Sequence, residues 1–386
     1  MYEVCIYTKD ITYNPNYDGY AISLPASKAE IEDALQRARV CGKNNYVLEF
    51  LFWPEFLIPI LENCEPTIEE ANVLATGIFT FDESNIYKYE AVLRFLPELT
   101  MRSLINAAFN LERFEFYAGI HSVEELGAFA IEMDILPVLE SLPEEIYDLL
   151  SEKKVGTYMV EQENGVFTEE GYCFRFEEGL NDVYDEKIQN FKEESNCPIL
   201  ICLEVGEKGG YREAWIGLPC REESIRESRE YLSTEIGGEC RFEKVQSVIP
   251  QLEKIRFGFQ DIEKLNLLAQ SLLEEEGKNI WKYKALLETK SPASVEELIE
   301  LFGSLDSYEM DVLLPFSYQN FGKRCLKDSG VELSKEEAVF FDYEGYGRSE
   351  GEKRKLSCSS YGIIYPVASA EIQLVQENRE GMQGMA

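Results

Sequence analysis

Displaced by 194 positions, this 386-residue sequence meets itself again. Asn85-Ile86-Tyr87-Lys88-Tyr89 falls on Asn279-Ile280-Trp281-Lys282-Tyr283, and Ala91-Val92-Leu93 on Ala285-Leu286-Leu287. Leu24-Pro25 meets Leu218-Pro219, Asn72-Val73-Leu74-Ala75 meets Asn266-Leu267-Leu268-Ala269, and Pro59 matches Pro250 after a three-residue slip. One offset kept over most of the length reads as a tandem duplication. The period is too long for a solenoid, so each half is a domain or a pair of subdomains.

The halves let each element be read twice. Strand-like runs Tyr2 to Tyr7 and Tyr20 to Leu24 have counterparts at Ile199 to Glu204 and Glu213 to Leu218. Ser27 with Glu30, and Thr67 with Glu70, carry the spacing of a capping box and predict helix starts. A strand is predicted over Tyr46 to Phe52. The second part of each half opens with the NIYKY or NIWKY helix, followed by a helix near Met101 to Phe109 and an alternating strand, Arg113 to Tyr117. Helices near Val123 to Met133 and Pro143 to Leu150 come next, and short strands at Gly156 to Val160 and Tyr172 to Phe176 close the half. The predicted class is α+β: an elongated tandem repeat of two homologous halves, each a small βαβα module plus a mainly helical subdomain with short strands. The predicted boundaries are 1–190 for the first repeat (module 1–80, subdomain 81–190) and 191–386 for the second (module 191–275, subdomain 276–375, tail 376–386). The polar stretch Asn181 to Asn196 is the expected linker.

Charge narrows the chemistry. Asp and Glu number 72 against 37 Lys and Arg, a net −35. Residues 1–193 hold 37 acids and 14 bases (−23), leaving 35 acids and 23 bases (−12) in the second half. A polyanion of this strength has no electrostatic footprint for nucleic acid or for an anionic membrane. The 45% apolar content excludes an acidic disordered chain. No run reaches the roughly 18 apolar residues of a membrane span, and Met1 to Asp10 lacks the basic and apolar regions of a secretory signal. Ten cysteines without a C-x-x-C read as buried reduced thiols, and a cytoplasmic location is expected.

Catalytic constellations are thin. The single histidine, His121, excludes any site needing two, and its place before Ser122-Val123-Glu124-Glu125 reads as structural. Gly345-Tyr346-Gly347-Arg348-Ser349-Glu350-Gly351 lacks the spacing and the basic end of a phosphate loop, stands among acids, and reads as a hairpin turn. No acidic run has calcium-loop spacing. No metal, cofactor or enzymatic activity is expected.

The acids themselves are the signal. They recur at matched positions: Asp33/Glu227, Glu49/Glu243, Glu62/Glu253, Glu69/Glu263, Asp82/Glu276, Glu112/Asp306 and Glu115/Glu309. Duplex DNA carries one negative charge per roughly 1.7 Å, so 35 net charges at that density would cover about 60 Å. A compact chain of this length has a radius of gyration of only about 21 Å. Carboxylates spread over an elongated arrangement would therefore reach a DNA-like length and attract a DNA-binding cationic groove.

Residues in both halves resemble a known family. Leu24-Pro25, the helix with Ile31-Glu32-Asp33-Ala34-Leu35, the strand Tyr46-Val47-Leu48-Glu49 and the run Thr67-Ile68-Glu69-Glu70-Ala71-Asn72-Val73-Leu74-Ala75 are similar to the repeated module of the ArdA-type antirestriction proteins. Ile262-Glu263-Lys264-Leu265-Asn266-Leu267-Leu268-Ala269 matches the last element more closely, and Asp342-Tyr343-Glu344-Gly345-Tyr346-Gly347 resembles that family's DYEGFG motif, though it sits near the C-terminus. The resemblance covers about 80 residues in each half. It implies an acidic DNA mimic encoded on a mobile element, one that occupies the DNA groove of a type I restriction–modification enzyme or another DNA-binding defence enzyme. The family's members are elongated dimers about half this length; the duplication leaves the oligomeric state open. Two other readings stand beside it: an acidic two-copy protein–protein adaptor of a mobile element, and an enzyme using a carboxylate pair.

Overall fold

The computed structural model describes the chain except for residues 10–18, 43, 140–141, 148, 177–179, 185–196, 208–209, 237–240, 276, 313–316 and 368–386. Among the described residues it is α+β, with helices packed on four small three-stranded sheets. The chain divides into two compact units. One comprises Met1–Ile6, Ala21–Ala26 and Val47–Glu193; the other comprises Tyr7–Tyr20, Ser27–Tyr46 and Glu194–Ala386.

The chain opens with β1 (Tyr2–Thr8), β2 (Tyr20–Leu24), α1 (Lys28–Arg37) and β3 (Tyr46–Leu51), the strands ordered β2-β1-β3. Helix α1 starts where its sequence says: the Ser27 side chain accepts from the Glu30 N–H, and the Glu30 carboxylate accepts from the Ser27 N–H at 2.7 Å. After α2 (Ile58–Cys64), Thr67 and Glu70 repeat that reciprocal cap on α3 (Ile68–Ile78), whose Ile68, Ala71, Leu74 and Ala75 are buried at helical spacing. Helices α4 (Glu83–Leu93) and α5 (Met101–Ala108) follow. They are tied by the buried Tyr89, whose hydroxyl donates to the Leu104 carbonyl at 2.9 Å. Next come β4 (Phe114–Ala118), α6 (Val123–Glu132), the short α7 (Glu144–Tyr147), α8 (Glu152–Glu163), β5 (Val166–Phe167) and β6 (Gly171–Arg175). The sheet order is β4-β6-β5, all antiparallel.

In the second half, β7 (Ile199–Glu207), β8 (Gly210–Leu218), α9 (Glu222–Ile236) and β9 (Arg241–Ser247) have the order β8-β7-β9. Helices α10 (Ile262–Glu274), α11 (Gly277–Lys290) and α12 (Val295–Gly303) follow. The buried Tyr283 on α11 donates to the Leu298 carbonyl at 2.9 Å. The chain continues through β10 (Tyr308–Asp311), α13 (Tyr318–Asp328), α14 (Lys335–Phe340), α15 (Tyr343–Lys353), β11 (Ser357–Ser359) and β12 (Gly362–Pro366), ordered β10-β12-β11. The core here gathers Ile199, Ile201 and Leu203 from β7, Leu265, Leu268 and Leu272 from α10, and Tyr283, Leu286 and Leu287 from α11.

Two expectations are corrected. Gly156 to Val160 is not a strand but lies inside α8, and Gly345 to Gly351 is not a hairpin turn but lies inside α15. Both glycines serve a close helix crossing. A Cβ on Gly156 would sit 1.8 Å from the Val123 carbonyl oxygen of α6, and one on Gly347 would sit 1.9 Å from the Tyr318 oxygen of α13. Gly127 and Gly322 face them with the same constraint. A helix backbone can approach another this closely only where neither carries a side chain. The predicted helix over Pro143 to Leu150 shortens to α7.

Of the expected linker, Asn181 to Tyr184 is held against α5. The Asn106 amide oxygen accepts from the Val183 and Tyr184 N–H groups at 2.8 Å, and the Asn110 amide oxygen accepts from Asn181 N–H at 2.8 Å. The rest of that stretch and the predicted tail lie outside the described residues. Among the described residues no helix is long and apolar enough to cross a membrane.

Candidate functional site

Twelve of the fourteen matched acids are exposed. In the first half, Glu49 is on β3, Glu62 on α2, Glu69 in the first turn of α3 and Asp82 at the N-cap of α4. Glu112 precedes β4 and Glu115 lies on it. In the second half, Glu227 is on α9, Glu243 on β9, Glu253 in the turn after β9 and Glu263 in the first turn of α10; Asp306 precedes β10 and Glu309 lies on it. Some have local duties. Asp82 accepts from the Asn85 N–H at 2.8 Å, and Glu69 and Glu263 lie at the positive ends of their helices. Glu276 lies outside the described residues.

Like charges crowd in places. On the β8-β7-β9 sheet the Glu204 carboxyl is held above its ordinary range, first by partial desolvation and then by the neighbouring Glu243. The Tyr365 hydroxyl is pushed up to about 12 by burial and then by its hydrogen bond to Glu309.

Asp33 is the correction. It is not part of an outward acidic surface: it is only 7% exposed, inside the second compact unit. Lys284 of α11 donates to its Oδ1 at 2.8 Å, the Tyr361 hydroxyl donates to the same oxygen at 2.7 Å, and Arg37 Nε donates to Oδ2 at 2.7 Å. Arg37 also donates to Ser360 Oγ at 2.7 Å and to Tyr361 Oη at 2.6 Å, and its guanidinium lies over the Tyr361 ring. Glu288 completes the rim, accepting from Ser360 N–H at 2.8 Å and from Ser360 Oγ at 2.7 Å.

The electrostatics follow the geometry. Burial alone would raise the Asp33 pKa, but the Lys284 charge and the hydrogen bonds from Lys284, Arg37 and Tyr361 together outweigh it and hold the carboxyl below its ordinary value. Burial draws the Lys284 ammonium down, against the attraction of Asp33. A pair this dry is stable only because nearly every lone pair and proton finds a partner. Asp33 therefore locks α1 against α11 and the β11–β12 turn. A sequence signal existed: Lys284 interrupts the apolar run Tyr283 to Leu287, and its matched residue, Glu90, has the opposite charge.

His121 is exposed, and its backbone N–H donates to Glu125 Oε2 at 2.7 Å just before the Ser122 cap. Of the nine described cysteines, Cys5, Cys173, Cys202 and Cys325 are buried, whereas Cys41 and Cys358 are exposed, against expectation. Burial pushes the Cys173 thiol up to about 12 and the Cys202 thiol to about 11, which keeps both protonated and unreactive at neutral pH. Among the described residues no three His, Cys, Asp or Glu side chains gather closely enough to hold a metal ion.

A scan of protein-family models and a search of curated proteins return no match to this chain.

Proposed function

We propose that this chain is a non-enzymatic antirestriction protein of the cytoplasm, encoded on a mobile element, whose carboxylates stand in for DNA phosphates. Its target is a DNA-binding defence enzyme, most simply a type I restriction–modification enzyme, whose DNA groove it occupies. The observation that carries this reading is the exposure of twelve matched acids, six in each half, on a chain of net charge −35. Self-repulsion at that charge costs folding stability, and a solubility role alone needs far less of it.

The proposal includes a tandem duplication. Support comes from three paired features. The sheet orders β2-β1-β3 and β4-β6-β5 recur as β8-β7-β9 and β10-β12-β11. Tyr89 and Tyr283 each donate to a carbonyl fifteen residues on. The glycine crossings of α6 with α8 and of α13 with α15 have the same build.

The test is competition. The protein is titrated into a type I restriction and methylation assay at low and at moderate salt. The expected result is inhibition of both activities that weakens as salt rises, because the attraction is between opposite charges. No inhibition, or inhibition indifferent to ionic strength, overturns the reading.

A further inference from the structure

The socket that receives Asp33 has a counterpart in the first half with its charges reversed. The two sockets share a turn. Thr168 Oγ1 donates to the Gly171 carbonyl at 2.9 Å and accepts from the Glu170 N–H at 3.3 Å. Ser359 Oγ donates to the Gly362 carbonyl at 2.8 Å and accepts from the Tyr361 N–H at 3.2 Å. Glu170 therefore holds the turn position of Tyr361.

The helices beside these turns match as well. Glu90 follows the buried Tyr89 on α4, as Lys284 follows the buried Tyr283 on α11. Helix α4 packs on β6 as α11 packs on β11 and β12, where Trp281 donates to the Tyr361 carbonyl at 3.2 Å; the hydroxyl of its counterpart Tyr87 is raised first by its bond to Glu83 and further by the charges of Glu170 and Glu90. Where the second socket offers Lys284 and the Tyr361 hydroxyl, the first offers two carboxylates.

The docking helix has a counterpart too. On α9, Glu227 stands where α1 has Asp33, and Tyr231 where α1 has Arg37; both α9 residues are exposed. Brought to the first socket as α1 sits in the second, Glu227 would face Glu90 and Glu170. Like charges so placed repel strongly. A contact that joins a helix of one half to a socket of the other is heterologous, and repeated from copy to copy it builds a ring where the rotation closes and an open string where it does not.

We propose that Glu90 and Glu170 bar helix α9 of a second copy of this chain from the first-half socket, so that the helix-in-socket contact is made once and does not string copies head to tail. This rests on the duplication reading and not on the identity of any target. It assigns a purpose to a charge reversal that surface solubility leaves unexplained, since Lys284 and Glu90 occupy one position in two otherwise similar helices.

The experiment uses the full chain in sedimentation velocity over a hundredfold concentration range. Glu90→Lys/Glu170→Tyr gives Glu227 of another copy a cation and a hydroxyl, and is expected to self-associate at least tenfold more tightly than the wild type. Adding Glu227→Lys to that variant is expected to return it to wild-type behaviour. Glu62→Lys/Glu69→Gln, with the same change in net charge elsewhere, is expected to sediment as the wild type. Glu90→Lys alone, a single change at a half-buried surface position, shows the same sign more weakly and serves if the paired variant melts early. The proposal is overturned if the paired variant sediments as the wild type, if the control associates equally, or if Glu227→Lys makes no difference. The duplication itself would fail on a separate result: experimental coordinates in which the Thr168–Gly171 and Ser359–Gly362 turns and their neighbouring helices do not superpose.

Discussion

Asp33 and Glu227 occupy matching places on α1 and α9, yet one is sealed among Lys284, Arg37 and Tyr361 while the other faces solvent. The residue type is nearly the same; what differs is the group across from it. Where a lysine interrupts the apolar face of α11, a carboxylate becomes a structural clasp. Where no such cation is offered, it remains surface charge. Under the proposed duplication, the halves agree in their backbone devices and diverge in their charged side chains.

The agreement predicts the largest effect. Gly156→Ala and Gly347→Ala each drive a methyl into a carbonyl oxygen across a helix crossing, and each is expected to cost about 3 kcal/mol or more. Urea unfolding of the two variants should show losses of similar size. A tolerated alanine at one crossing and a disabling one at the other would break the correspondence between α8 and α15.

The divergence predicts the next. Asp33→Ala strands a buried ammonium and is expected to cost about 3 kcal/mol, whereas Glu227→Ala is expected to stay within about 0.5 kcal/mol. The pH dependence has a definite sign. The folded-state value of Asp33 lies below its ordinary 3.8, so its contribution is complete above that value and is lost as pH falls through the lower one. Acid titration of stability should therefore be flatter in Asp33→Asn than in the wild type over that window. The smallest effect sharpens the agreement: Tyr89→Phe and Tyr283→Phe each remove one buried hydroxyl bond and are expected to cost about 1 kcal/mol apiece in the same urea assay.

What was legible in the sequence was local. The Ser27 and Thr67 caps could be read because both partners lie within one turn, and β1, β2, β7 and β8 could be read from short apolar runs. Gly156 to Val160 misled because a glycine followed by Thr, Tyr, Met and Val favours a strand; the reason for that glycine is a carbonyl on another helix. Asp33 misled for a related reason. Its cation lies 251 positions away, beyond the reach of any window. Charge counted along a chain says how many carboxylates there are, not which of them face water.

One quiet contact has a chemical consequence. Asn72 accepts from the Ala26 N–H at 2.7 Å and donates to the Ala26 carbonyl at 2.9 Å, and Asn266 does the same for Cys220, at 2.8 and 3.1 Å. Each amide grips both polar groups of a single residue, a task that needs a donor and an acceptor on one short side chain. Hydrolysis to aspartate would replace the donor with an anion aimed at a carbonyl oxygen. Conversion of either asparagine to aspartate would therefore undo the tether between β2 and α3, or between β8 and α10, at the cost of a single amide nitrogen.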